Sequence, residues 1–158
     1  MELKTTTDIR IIKADSSKIN SVDFENLTFG NIFTDHMLIC DYNDGKWDQP
    51  VIMPYEPFTL DPSAKVFHYG QAIFEGMKAY KDEHDDVWLF RPDQNFDRFN
   101  KSAVRLAMPE VPEDVFLGGL HKLLEIEKEW VKKGFGNALY IRPFMIATGS
   151  GVVAAPST

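Results

Sequence analysis

Residues 77–107 read MKAYKDEHDDVWLFRPDQNFDRFNKSAVRLA, and the fold is decided here. Two apolar stretches, Met77 to Tyr80 and Val87 to Phe90, flank the acidic run Glu83 to Asp86, which predicts a β-hairpin with a charged tip. Directly after it, Arg91-Pro92-Asp93 sets a proline in the first turn of a helix and a carboxylate at its positive end. Phe96, Phe99, Ala103, Val104 and Ala107 then recur at helical spacing and give one apolar face, until Pro109 and Pro112 break it. A hairpin that runs into a helix, without strand–helix–strand alternation, predicts an α+β domain with a largely antiparallel sheet and helices packed on it. A doubly wound parallel sheet is disfavoured, since no glycine-rich turn follows a strand.

Working outward, Met37 to Tyr42, the turn residues Asn43-Asp44-Gly45 and Val51 to Met53 form a second hairpin pattern. Ile9, Ile11 and Ile12 suggest a short strand ahead of it, and Pro54, Pro57 and Pro62 an irregular connection after it. Beyond the helix, Glu113 opens another. Val115, Phe116, Leu120, Leu123, Leu124, Glu127, Trp130 and Val131 keep the period with one polar lapse, and Gly134 marks a stop. Asn137 to Ala147 reads as a single strand, with Tyr140, Arg142 and Phe144 on one face and Leu139, Ile141 and Met145 on the other. The tail GSGVVAAPST is flexible in composition.

Composition narrows the function. A chain of 158 residues, 44% hydrophobic, is long enough for one buried core, and 13% aromatics leaves rings to spare for a site or an interface. The net charge of −7 without a basic stripe argues against a nucleic-acid partner. No stretch has the length of a secretion signal or of a membrane span, and the lone Cys40 cannot form an internal disulfide. A soluble cytoplasmic protein is expected, with Cys40 a small buried hydrophobe. His36, His68, His84 and His121 lack ligand spacing, so no metal site is expected.

Tyr140 and Arg142, two residues apart on a strand, bring a phenol and a guanidinium to one face, where they could meet a carboxylate. A surface ion pair is the plainer reading of Arg142, and a helix-surface salt bridge that of Arg98. His68 to Lys78, with Gly70 and Gly76 near its ends, suggests a compact turn of helix pressed against something.

Four segments together carry a resemblance: FGNIFTDHM (29–37), HYGQAIFEGMKAY (68–80), LFRPDQNFDRF (89–99) and LYIRPF (139–144). In order and spacing they resemble the branched-chain amino acid aminotransferases, of the pyridoxal phosphate fold-type IV class. FTDHM and LYIRP favour these over D-amino acid aminotransferases and aminodeoxychorismate lyases. The resemblance implies a small N-terminal domain at residues 1–147 and the start of an interdomain loop at 148–158. It implies that Arg98 holds the phosphate of pyridoxal 5'-phosphate, and that Phe29, Tyr69, Phe74, Tyr140, Arg142 and Val153 line the substrate pocket. Substrates would be leucine, isoleucine, valine and 2-oxo acids, in a homodimer. The Schiff-base lysine of that family lies in a C-terminal domain absent from these residues, so the chain alone is expected to be inactive. An assembly module without catalysis is the reading from another class.

Overall fold

The computed structural model describes residues 7–155 and residue 157. Among the described residues strand β1 (Arg10–Ile11) comes first, followed after a long connection by β2 (His36–Ile39). Next come the small hairpin β3 (Tyr42–Asn43) and β4 (Lys46–Trp47), and then β5 (Val51–Pro54). β5 lies antiparallel to β2, with Leu38 opposite Ile52, and parallel to β1. Asp44 and Gly45 join β3 to β4 with φ of 50° and 80°, the left-handed pair that a tight hairpin turn requires.

The short helix α1 (Lys65–Tyr69) ends at Gly70, whose φ of 61° supplies the left-handed cap. Strand β6 (Ala72–Phe74) follows, then β7 (Met77–Lys81) and β8 (Val87–Leu89), the hairpin read from the sequence, with Tyr80 opposite Trp88. Helix α2 (Pro92–Arg105) begins with its proline in the first turn. A π-helical turn, Asp114–Gly118, leads into α3 (Gly119–Ile126). The chain closes with β9 (Leu139–Ile141) and β10 (Phe144–Ile146). The result is a small α+β domain.

Three expectations need correcting. Residues 137–147 are two strands in different sheets: β9 pairs with β7, and β10 with β6. Pro143 lies at the break between them, where it has no N–H to continue a ladder. The segment 70–76 is no turn of helix, because the helix ends at Tyr69 and β6 follows. The buried face of α2 is Asn95, Phe99 and Ala103, while Val104 is 61% exposed and Ala107 lies beyond the helix. Among the described residues the strands form several small, largely antiparallel sheets, as the α+β expectation holds.

The core forms where α2 and α3 cover β7. Phe99 and Ala103 from α2 meet Phe116, Leu117, Leu120 and Leu124, with Met77, Ala79 and Val131 completing the cluster. Phe99 and Phe116 lie 5.3 Å apart between centroids, an inclined aromatic pair. α3 also approaches β2 closely, since a Cβ on Gly119 would stand 2.5 Å from Leu38 Cδ2. The polar lapse at Glu127 proves to be structural. Its carboxylate is 2% exposed, pairs with His36 Nδ1 and accepts from the Asp35 amide at 3.1 Å. No described helix is long and apolar enough to cross a membrane.

Candidate functional site

Two ladders that share neither strand converge on residues 74–76. β7 pairs Lys78 with Tyr140 of β9, and β6 pairs Phe74 with Phe144 of β10. Phe74, Glu75 and Gly76 bridge β6 to β7, and each of the three meets a different partner. The break at Pro143 that splits the predicted strand is therefore what brings Arg142 over this tripeptide. The Pro143 carbonyl accepts from the Glu75 amide at 2.8 Å.

Arg142 turns back on its own strand. Its Nε and Nη2 donate to the Tyr140 hydroxyl at 3.1 and 2.8 Å, while the guanidinium lies 4.4 Å from the Phe74 ring centroid. Among the described residues no carboxylate forms an ion pair with it. Phe29 meets Tyr140 edge-on at 5.0 Å, reaching in from the long connection before β2. Phe29 and Phe74 are 74% and 63% exposed, so the cluster is an open, aromatic-walled surface with a cationic centre. Gly76 fits under the Tyr140 phenol, where any Cβ would overlap its hydroxyl and stand 3.1 Å from Cζ.

Arg98 stands beside this wall. Its Nε and Nη2 donate to the two oxygens of Glu75 at 2.9 and 3.0 Å, and Asn95 adds a third donor at 2.9 Å. The pair joins α2 to the bridge, so the helix-surface salt bridge read from the sequence is present, with its carboxylate supplied from outside the helix. Burial alone would push the Glu75 carboxyl up, but the hydrogen bonds from Arg98 and Asn95 and the Arg98 charge hold it below the ordinary glutamate value of 4.5. The Glu75 hydrogen bond likewise raises Arg98. The Arg98 side chain remains 57% exposed, and among the described residues nothing bonds its Nη1.

Tyr69 and Val153 belong to a separate group. The Tyr69 hydroxyl donates to the Val152 carbonyl, and Val152 and Val153 point outward, 62% and 72% exposed. Among the described residues no set of His, Cys, Asp or Glu is arranged to hold a metal ion. Cys40 is partly buried, its thiol pushed up to about 11 by desolvation and by Asp41 and Asp48.

Comparison with known proteins gives this geometry a setting. No family model matches the chain. It is 54% identical over 127 residues to the branched-chain-amino-acid transaminase 1 of Bacillus subtilis, covering 80% of this chain and 36% of that protein. A probable branched-chain-amino-acid aminotransferase of Staphylococcus epidermidis is 53% identical over 86% of the chain. The chain belongs to the branched-chain amino acid aminotransferase family. The branched-chain-amino-acid aminotransferase of Mycolicibacterium smegmatis is 47% identical over 84% of the chain. This chain spans just over a third of the length of these curated relatives, 36 to 38%.

Two residues escaped the sequence reading. Glu75 lies inside the quoted segment HYGQAIFEGMKAY, but nothing local distinguishes it from a surface acid. Lys65 is only 8% exposed, and no periodicity marks it, because its burial depends on the distant loop at 151–155.

Proposed function

We propose that this chain supplies the substrate wall and one phosphate-binding arginine of an enzyme that moves the amino group of leucine, isoleucine or valine to 2-oxoglutarate, and back. The observation that carries the proposal is the Arg142–Tyr140 pair between Phe29 and Phe74. A guanidinium has five N–H donors. Two of Arg142's serve the phenol, leaving three, and among the described residues the phenol's own proton bonds no acceptor. These donors of the exposed Arg142 and the half-buried Tyr140 lie beside two apolar rings. Such an edge suits a carboxylate, and the rings suit an aliphatic side chain. The same wall accommodates both a branched-chain acid and a dicarboxylate, as an enzyme with both substrates requires.

Pyridoxal phosphate, when bound, supplies an electron sink for transamination. Arg98 is the described residue that fits it. Its Nη1 donors, unbonded among the described residues, and its exposed guanidinium suit a phosphate oxygen, while Glu75 fixes the plane of the group. Glu75 also cancels its charge, so this arginine alone makes a weak phosphate cup. Residues 1–147 form the small domain and 148–158 begin an interdomain loop in this reading. The chain by itself neither retains the cofactor nor turns over, and in the longer protein the exposed aromatics are covered in a homodimer.

Titration with 4-methyl-2-oxopentanoate and, separately, pyridoxal phosphate tests the assignment through the arginine Nε–H signals of the ¹⁵N-labelled chain. The 2-oxo acid should move Arg142 and pyridoxal phosphate should move Arg98. Absence of any Arg142 response at saturating 2-oxo acid would sink the substrate role. Glutamate formed by the chain alone from leucine and 2-oxoglutarate would refute its inactivity.

A further inference from the structure

Helix α1 and its approach grip the loop 149–155 at several points. Ser63 Oγ accepts from the Gly151 amide at 2.9 Å, and the Tyr69 hydroxyl donates to the Val152 carbonyl. Lys65 donates its Nζ protons to the carbonyls of Val153 at 3.2 Å and Ala155 at 2.6 Å. The backbone of α1 adds Lys65 N to Gly149 O at 3.1 Å and Val66 N to Ala147 O at 3.0 Å. Ser63 is itself held by Asp61, to which its hydroxyl donates at 2.6 Å.

Lys65 is the unusual member. Its residue is over nine-tenths buried, and among the described residues no carboxylate forms an ion pair with it. Burying an ammonium without a counter-charge is unfavourable unless its donors are used. Here they are spent on two carbonyls of one loop, by charge-assisted bonds stronger than those between neutral groups. With both carbonyls turned toward α1, the side chains of Val152 and Val153 face out.

We propose that Lys65 is a positioning residue: with Ser63 and Tyr69 it sets the conformation of residues 151–155 and so the outward display of Val152 and Val153. The loop geometry stands on its own, and only its use in substrate binding rests on the function proposed above. A side chain two carbons shorter or without N–H donors cannot span to both carbonyls, so the clamp is specific to a long cation.

Amide hydrogen exchange on the 158-residue chain tests it, read at Gly151 and at Ala155, whose N–H bonds Val153 O at 2.8 Å. Lys65→Met should raise exchange at both amides on the order of tenfold, the effect of losing charged hydrogen bonds. Ala79 and Phe99 in the core should exchange as in wild type. Lys65→Arg, which keeps donors for the carbonyls, should restore protection. Wild-type protection in Lys65→Met overturns the proposal. If Lys65→Met loosens the core as well, Ser63→Ala decides: exchange rising at both amides supports a concerted clamp, and a rise at Gly151 alone refutes it. Titration of the same samples with 4-methyl-2-oxopentanoate, read at the Arg142 Nε–H, separates the readings, because failure of the substrate role leaves the loop result intact.

Discussion

Replacing Glu127 by glutamine should destabilise the domain by about 1–3 kcal/mol, the cost of one buried hydrogen bond left unmade. The arithmetic follows from a chain of donors with no slack. The Ala14 amide donates to His36 Nε2 at 2.9 Å, which makes that nitrogen an acceptor and puts the ring proton on Nδ1. Nδ1 donates to Glu127 Oε1, and the Asp35 amide donates to Oε2 at 3.1 Å. A carboxylate satisfies both donors, whereas an amide has one oxygen. If that oxygen faces His36, the glutamine NH₂ meets the Asp35 N–H. If it faces Asp35, the NH₂ meets Nδ1, and the imidazole must move its proton to Nε2, against the Ala14 N–H. Either orientation leaves one pair of donors opposed in a site only 2% exposed at Glu127. Urea unfolding of wild type and Glu127→Gln, followed by tryptophan fluorescence, measures the difference. Amide exchange then shows which end gives way, Asp35 or Ala14. A variant within about 0.5 kcal/mol of wild type, the range of ordinary surface changes, would refute the reasoning.

Gly76→Ala should push the Tyr140 phenol off the bridge and release Arg142. Overpacking of this kind costs about 1–3 kcal/mol, measurable as a lower urea midpoint, and the Arg142 Nε–H signal should shift toward its free position. Glu75 carries a depressed pKa, so its contribution is present above the ordinary value of 4.5 and is lost as pH falls through the lowered folded value. Glu75→Gln should abolish that acid-side slope in a pH series of unfolding free energies; an unchanged slope would mean that other carboxylates set it. Cys40, at about 11 against an ordinary 9.0, holds far less thiolate at pH 8, partly offset by the greater nucleophilicity of a more basic thiolate. It should react with iodoacetamide about tenfold more slowly than an unperturbed thiol, by mass spectrometry.

Local signals carried much of this protein. Both hairpins, the start of α2 at Pro92 and the turn at Asp44-Gly45 were legible, because turn chemistry and helix starts are written in neighbouring residues. The family was legible too, from four short segments in register. What the sequence could not determine was pairing at a distance. That residues 137–147 serve two sheets depends on which strands await them, β7 and β6, and the period-two pattern is the same either way. The polar lapse at Glu127 and the unremarkable Lys65 gained their roles only when His36 and the loop at 151–155 came to lie against them. The same holds for the site. Tyr140 and Arg142 share a strand face by local geometry, but Phe29, Phe74 and the Glu75–Arg98 pair join them only through tertiary packing. Burial and long-range hydrogen bonds are properties of the folded whole, so residue order fixed the elements here, and only their packing decided what the polar residues between them do.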